Sequence, residues 1–178
     1  MPRIDRVTED DPAFVGLVTA MVEEMIGLYG GDVGTWKLVP PGGAWLVLRS
    51  DDGEPVGCAG VIPLSVAVPD APTAQGEVKR VYVVPSARGA GHSRRLMAAV
   101  TALAPSLGYT ELWLETGDLQ PIAVSLYERL GWHRIAAYGP YADERSVCFG
   151  LHVQPAGGGG GRASKPGSSD NDTVGKPG

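Results

Sequence analysis

Residues 81–97, VYVVPSARGAGHSRRLM, pass from a β-branched run through a Pro-Ser turn into a glycine-punctuated, arginine-rich loop. An apolar-periodic segment follows. A strand that ends in a glycine-rich loop at the start of a helix is a general device for holding phosphates. Glycines let backbone N–H groups converge, and the positive end of the helix dipole adds favourable potential. Local charge agrees with an anion site: from Lys79 to Arg95 the chain carries Lys79, Arg80, Arg88, Arg94 and Arg95 and no acidic residue. The whole chain has a net charge of −5, which argues against general nucleic-acid affinity.

Three ligands compete for such a loop. A P-loop requires Lys and then Ser or Thr after its second glycine, and here Gly91 is followed by His92. A dinucleotide-binding turn requires a third glycine where Arg94 stands. It also needs an acidic residue about 20 positions on, where the chain reads Leu103–Thr110. Coenzyme A is the third ligand, with its pyrophosphate on the loop and its pantetheine arm along the preceding strand.

Outward from this loop, strand and helix patterns alternate. Arg3–Val7 reads as a short strand, and Asp11-Pro12 starts a helix with an acidic N-cap and Pro at its first position. Phe14, Leu17, Met21, Met25 and Leu28 recur at helical spacing up to Gly30-Gly31. Ala44–Ser50 and Pro55–Ile62 flank Asp52-Gly53 as a hairpin. A Pro- and Ala-rich loop, 63–75, leads to a strand at Glu77–Val84. After the glycines, Leu96, Val100 and Leu103 mark one helix face as far as Pro105. Glu111–Glu115 reads as a strand and Pro121–Leu130 as a helix closed by Gly131. Trp132–Ala137 and Ser146–Val153 read as a terminal strand pair. The order β-α-β-β-β-α-β-α-β-β specifies a mixed α/β domain on one central sheet over residues 1–153. Residues 154–178 are rich in Gly, Pro and Ser, with Val174 the one sizeable apolar side chain, and read as a disordered tail.

Two cysteines, Cys58 and Cys148, lie in apolar strand contexts outside any zinc-ligand spacing, so buried thiols and no metal site are expected. The N-terminus lacks the apolar region of a signal peptide, and no run suggests a membrane span. The expectation is a soluble cytoplasmic protein with no membrane partner.

Arg88-Gly89-Ala90-Gly91-His92-Ser93 resembles motif A of the GNAT superfamily of acyl-CoA N-acyltransferases, whose core is Arg/Gln-x-x-Gly-x-Gly/Ala. Residues 120–132, QPIAVSLYERLGW, resemble the family's Asn-x-x-Ala…Leu-Tyr-x-x-x-Gly-Phe block, with Gln120 for Asn and Trp132 for Phe. GEVKRVYV at 76–83 and LWLETGD at 112–118 are also similar, and the element order matches. The resemblance covers residues 3–152 and implies the GNAT fold. It further implies N-acetyl transfer from acetyl-CoA to a primary amine of a small molecule or peptide, by direct attack in a ternary complex. GNAT domains often dimerise, so a homodimer is allowed for. The alternative within the fold is a non-catalytic acyl-CoA-binding or regulatory domain.

The resemblance also implies roles. Backbone groups of Val81 and Val83 would bond the pantetheine. Amides of Arg88, Gly89, Ala90, Gly91, His92 and Ser93 would meet the pyrophosphate, with Arg88 adding charge, and Gln120 would contact the cofactor. Ser93 departs from the small final residue of the motif, and His92 is expected to face solvent. Glu77 is the candidate base, on the same face as Val81 and Val83 unless a bulge intervenes; the structural alternative pairs it with Lys79 or Arg80. Tyr127 is the candidate acid toward the leaving thiolate, or else a core tyrosine, and Glu115 is a weaker acid/base candidate. Acceptor specificity falls to Ile26–Pro41, with Tyr29, Asp32 and Trp36, to the loop 63–75, and to Tyr138–Arg145. The aromatic and acidic residues there suit a cationic amine.

Overall fold

The computed structural model describes residues 1–30, 39–40 and 42–154. Asp32, Trp36 and the tail from residue 155 lie outside the described residues. The elements run β1 (Arg3–Val7), α1 (Pro12–Tyr29), β2 (Ala44–Arg49), β3 (Pro55–Pro63), β4 (Gln75–Val83), α2 (His92–Leu103), β5 (Glu111–Gly117), α3 (Pro121–Arg129), β6 (His133–Arg134) and β7 (Ser146–His152). The expected order therefore holds, except that the strand anticipated over Trp132–Ala137 contracts to two residues.

One seven-stranded sheet carries the fold in the order β1-β2-β3-β4-β5-β7-β6. Its strands pair antiparallel apart from β4 and β5, which are parallel. β2 is a continuous apolar run because both of its faces are covered. Ala44, Leu46 and Leu48 pack with Leu96, Met97 and Val100 of α2 and Tyr127 of α3. Trp45 and Val47 pack with Phe14, Leu17, Val18 and Val22 of α1. The sheet is thus sandwiched between α1 on one face and α2 and α3 on the other.

The α1 start follows its sequence signal: the Asp11 carboxylate accepts from the backbone N–H of Ala13 (2.9 Å) and Phe14 (3.1 Å), with Pro12 at the first turn. By length and composition α1 could cross a membrane. Its Phe14, Leu17, Val18 and Val22 nevertheless pack against the sheet as core residues. Leu28, expected on the core face, is exposed. Both cysteines are buried, and burial pushes the Cys58 thiol up to about 12.

β4 and β5 pair only over Gln75–Glu77 and Glu111–Trp113. β4 then continues to Val83 against β3, and β5 to Gly117 against β7. Beyond Glu77 the two parallel strands part, and a gap opens in the middle of the sheet. Polar backbone groups lining such a gap need other partners.

A bulge accompanies the parting. Gly60 pairs with Lys79 and Cys58 with Tyr82, so Arg80 and Val81 together oppose Ala59. Arg80 takes a left-handed φ of 58°, the one positive φ of a non-glycine among the described residues. The extra residue reverses the side-chain alternation. Val78, Val81 and Val83 face the α2 core, whereas Tyr82 joins the α1 core. Glu77, paired with Ile62 of the α1 core, therefore does not share a face with Val81 and Val83, which corrects the simple alternation.

Two glycines should respond oppositely to alanine. A Cβ on Gly60 would lie 2.2 Å from Trp45 Cε3 and 2.8 Å from the Ala44 carbonyl oxygen, and Trp45 is fully buried. Gly60→Ala is expected to destabilise the fold by about 3 kcal/mol. Gly27→Ala, in α1 with nothing within 4 Å of the new methyl, should stabilise it by about 0.5–1 kcal/mol. Urea midpoints of the two variants check both signs.

Candidate active site

Where β4 and β5 part, Glu77 is completely buried. Its Oε1 accepts from the Lys79 ammonium at 2.9 Å and from the Tyr138 hydroxyl at 3.0 Å. Its Oε2 is buried and has no hydrogen-bond partner among the described residues. The Lys79 ammonium also donates to the Tyr141 hydroxyl and lies 4.4 Å from the centre of the Tyr141 ring. Burial, reinforced by the Glu77 charge and hydrogen bond, pushes the Tyr138 hydroxyl far above the ordinary phenol range, and burial with the Glu77 charge raises Tyr141 as well. Both phenols therefore remain protonated donors.

The chain returns Tyr138 and Tyr141 to this place through a short helical turn at Gly139–Tyr141 between β6 and β7. That turn packs on the segment after β3, where Leu64, Ala67, Val68 and Ala71 join Tyr138, Cys148 and Trp113 in a small core. Two of the expected specificity regions, 63–75 and 138–145, thus meet each other and roof Glu77.

Tyr127 is the one buried residue of α3, packed against Phe149 (5.7 Å between ring centres) and Trp132 (6.2 Å). Its hydroxyl makes no hydrogen bond among the described residues, and burial followed by the Glu115 charge raises it above the phenol range. Tyr127 belongs to the α2 and α3 side of the sheet and Glu77 to the α1 side. Glu115 on β5 couples electrostatically to both. Burial raises the Glu115 carboxyl, opposed by a 3.1 Å hydrogen bond from the Ser146 hydroxyl.

The glycine loop is open to solvent from Arg88 to Gly91, and Gly91 is the N-cap of α2 in the left-handed region. His92 and Ser93 form the first turn of α2 and are half-buried. His92 is therefore not a freely solvated loop residue, and its Nδ1 is buried without a partner among the described residues. The Arg88 guanidinium is engaged inside the chain. Its Nε donates to the Val83 carbonyl at 2.9 Å, and its Nη2 pairs with Glu24 of α1 at 2.7 Å. Arg95 donates to the Pro2 carbonyl at 2.6 Å. Lys79, Arg88 and Arg95 are thus engaged by protein partners, and Arg80 interacts electrostatically with Tyr141 and Glu77. What the loop offers an anion is mainly backbone.

Gln120 is the N-cap residue of α3, and its amide reaches the Tyr29 hydroxyl at 3.5 Å. Tyr29 closes α1 and sits so near Gly117 that a Cβ there would fall 1.8 Å from its hydroxyl. The structure thus brings Tyr29, Gln120 and the end of β5 together at the mouth of the gap. The sequence pointed to Lys79 only through the alternative that pairs Glu77 with Lys79 or Arg80, and to Tyr138 and Tyr141 only as part of the region Tyr138–Arg145.

The protein-family model described as Acetyltransferase (GNAT) family matches residues 10–132. The chain belongs to the GNAT acetyltransferase family. Curated relatives named as acetyltransferases agree with that membership. An IAA acetyltransferase of Azospirillum brasilense is 36% identical over 112 residues, 63% of this chain and 69% of the relative. The uncharacterised N-acetyltransferase YjgM of Escherichia coli K12 is 33% identical over 95 residues, 53% of this chain and 54% of that protein. A solved Klebsiella pneumoniae structure assigned as an acyl-CoA N-acyltransferase superposes with a TM-score of 0.72 at 31% identity, covering 86% of this chain and 99% of its own. This GNAT chain is accordingly an acyltransferase by family, on the fold the element order specified.

Gly89 and Gly91 have φ of 83° and 77° with open space around a prospective Cβ. Their constraint is conformational, so Gly89→Ala and Gly91→Ala should each lose about 1–2 kcal/mol through backbone strain alone. Unfolding of the two variants tests this, and a loss well beyond that size would point to contacts that the loop does not make.

Proposed function

We propose that the chain is an N-acetyltransferase that moves an acetyl group from acetyl-CoA to the primary amine of a small-molecule or peptide acceptor. The observation that carries this reading is the buried Oε2 of Glu77, a carboxylate oxygen without a partner among the described residues, at the point where β4 and β5 part. An unpaired buried acceptor is costly, and an ammonium or its bridging water satisfies it.

The reaction divides among this chain's residues as follows. Backbone groups of Val81 and Val83, on the strand edge freed by the parting, take the pantetheine. Backbone amides from Arg88 to Ser93, at the start of α2, take the pyrophosphate, and Gln120 steadies the donor at the mouth. The acceptor arrives as an ammonium, whose ordinary pKa is near 10.4. Its proton passes to Glu77 Oε2, directly or through water, and the nitrogen attacks the thioester carbonyl. As the C–S bond breaks, the thiolate takes the proton of the Tyr127 hydroxyl, which its burial keeps protonated. The extra proton on the new amide nitrogen then leaves through water and restores the Tyr127 phenol. Holding amine and thioester together supplies most of the acceleration. Tyr29, beside Gln120 and Gly117, is the candidate contact for the acceptor.

A non-catalytic acyl-CoA-binding domain is the second reading, favoured by the complete enclosure of Glu77 under Tyr138 and Tyr141. Thiol release from acetyl-CoA separates the two, measured with spermidine, kanamycin, L-phenylalanine and trialanine as acceptors. At least one amine is expected to turn over, with Glu77→Gln lowering kcat/KM about 10²–10⁴-fold and Tyr127→Phe lowering kcat about 10²-fold. No turnover with any amine supports the binding domain instead, and turnover left unchanged in both variants overturns the roles given to Glu77 and Tyr127.

A further inference from the structure

We propose that Lys79 and Tyr138 are positioning residues for Glu77: both engage Oε1, fix the carboxylate and leave Oε2 as its one remaining acceptor. The inference rests on the reading of Glu77 as the base and goes beyond it by assigning the groups that make a wholly buried carboxylate usable.

A carboxylate taken fully out of water needs a charge partner and hydrogen bonds, or it takes up a proton and ceases to be a base. Lys79 supplies the charge at 2.9 Å and Tyr138 a neutral donor at 3.0 Å, and both address the same oxygen. Two donors on one oxygen hold the carboxylate plane and divide its oxygens into an anchored one and a vacant one. Lys79 is itself held in place: its ammonium donates to the Tyr141 hydroxyl beside the Tyr141 ring, and its side chain is only 19% exposed. The position of the bulge matters here. Lys79 precedes the extra residue Arg80, so it keeps the face of Glu77. The tyrosines are fixed through the other wall, because a Cβ on Gly139 would fall 2.5 Å from the Ala67 carbonyl oxygen. The titratable and charged groups facing Glu77 are Lys79 and Arg80 from β4, Glu115 from β5, Cys148 from β7, and Tyr138 and Tyr141 from the turn. Lys79 alone among them makes an ion pair with Glu77 among the described residues.

The sign follows directly. A cation beside a carboxylate favours its ionised form, so removing the cation makes the carboxyl hold its proton to higher pH. In Lys79→Met the acidic limb of the kcat/KM–pH profile should move upward by about one to three units. Lys79→Arg keeps the charge and should hold the limb near its wild-type position. Tyr138→Phe removes a single hydroxyl and should displace the limb upward by less, which keeps the test alive if Lys79→Met does not fold. A second readout needs no turnover: the Glu77 carboxyl carbon of ¹³C-glutamate-labelled protein, assigned by its loss in Glu77→Gln, is titrated by NMR in each variant. Titration and limb moving up together support the inference. A Glu77 titration that stays in place in Lys79→Met and Tyr138→Phe overturns the inference alone. A titration that moves while the limb does not overturns the base reading and the inference with it.

Discussion

Between the pairs Gly60–Lys79 and Cys58–Tyr82, β4 has two residues where β3 has one, so its odd-numbered residues switch from the α1 face before the bulge to the α2 face after it. With regular alternation, a strand carrying Glu77 and Lys79 toward α1 would send Val81 and Val83 the same way. The extra residue instead lets one strand place a charged pair on one side of the sheet and apolar packing on the other, within seven residues. It also increases the local twist, in keeping with the separation of β4 from β5 past Glu77. Arg80 adopts φ 58° to make this turn, a conformation that costs a non-glycine residue about 1–2 kcal/mol. The rest of the fold must hold that strain in place.

The second demand on the fold comes from burying a carboxylate. Removing a charge from water is expensive unless it is paired and hydrogen-bonded, and the chain assembles the partners from three distant segments. Lys79 comes from the same strand, Tyr138 and Tyr141 from the turn before β7, and the packing that pins this turn from Leu64–Ala71 after β3. The two loops are therefore structural members of the site as well as candidates for contacting an acceptor. A change at Ala67 or Val68 reaches Glu77 through Tyr138 without touching it.

Much of this architecture was legible in the sequence, and the missing parts share a physical cause. The Asp11-Pro12 start, the hairpin about Asp52-Gly53 and the Gly91 entry into α2 are local signals, each decided within a few residues by capping, turn chemistry or periodicity. The QPIAVSLYERLGW block also placed Tyr127 on the helix where the structure has it. The bulge left no trace: one inserted residue has no compositional signature, and an arginine is a poor advertisement for a left-handed φ. Pairings such as Tyr138 with Glu77, 61 residues apart, and Arg88 with Glu24, 64 apart, are set only by the tertiary fold. On the proposed reading, the two roles weighed for Glu77, a base or a partner of Lys79 or Arg80, are compatible, because a wholly buried carboxylate needs a charge partner.

Counting arginines around the glycine loop suggested an electrostatic cradle, yet Arg88 is neutralised by Glu24 and tied to the Val83 carbonyl. Its stronger contribution is to fasten the end of β4 and the loop to α1, which fixes where the backbone amides point. On the proposed reading, donor recognition is then written largely in backbone geometry: left-handed glycines, a helix start and a parted strand edge. Such a device tolerates many side chains, and Ser93 in place of a smaller residue is a mild change to it. On the same reading, acceptor chemistry is written in side chains instead, in Glu77, Lys79, Tyr138, Tyr141 and Glu115, whose placement depends on loops and a bulge. The two halves of the site should therefore diverge at different rates, with the donor half following the fold and the acceptor half following the details of the turn before β7.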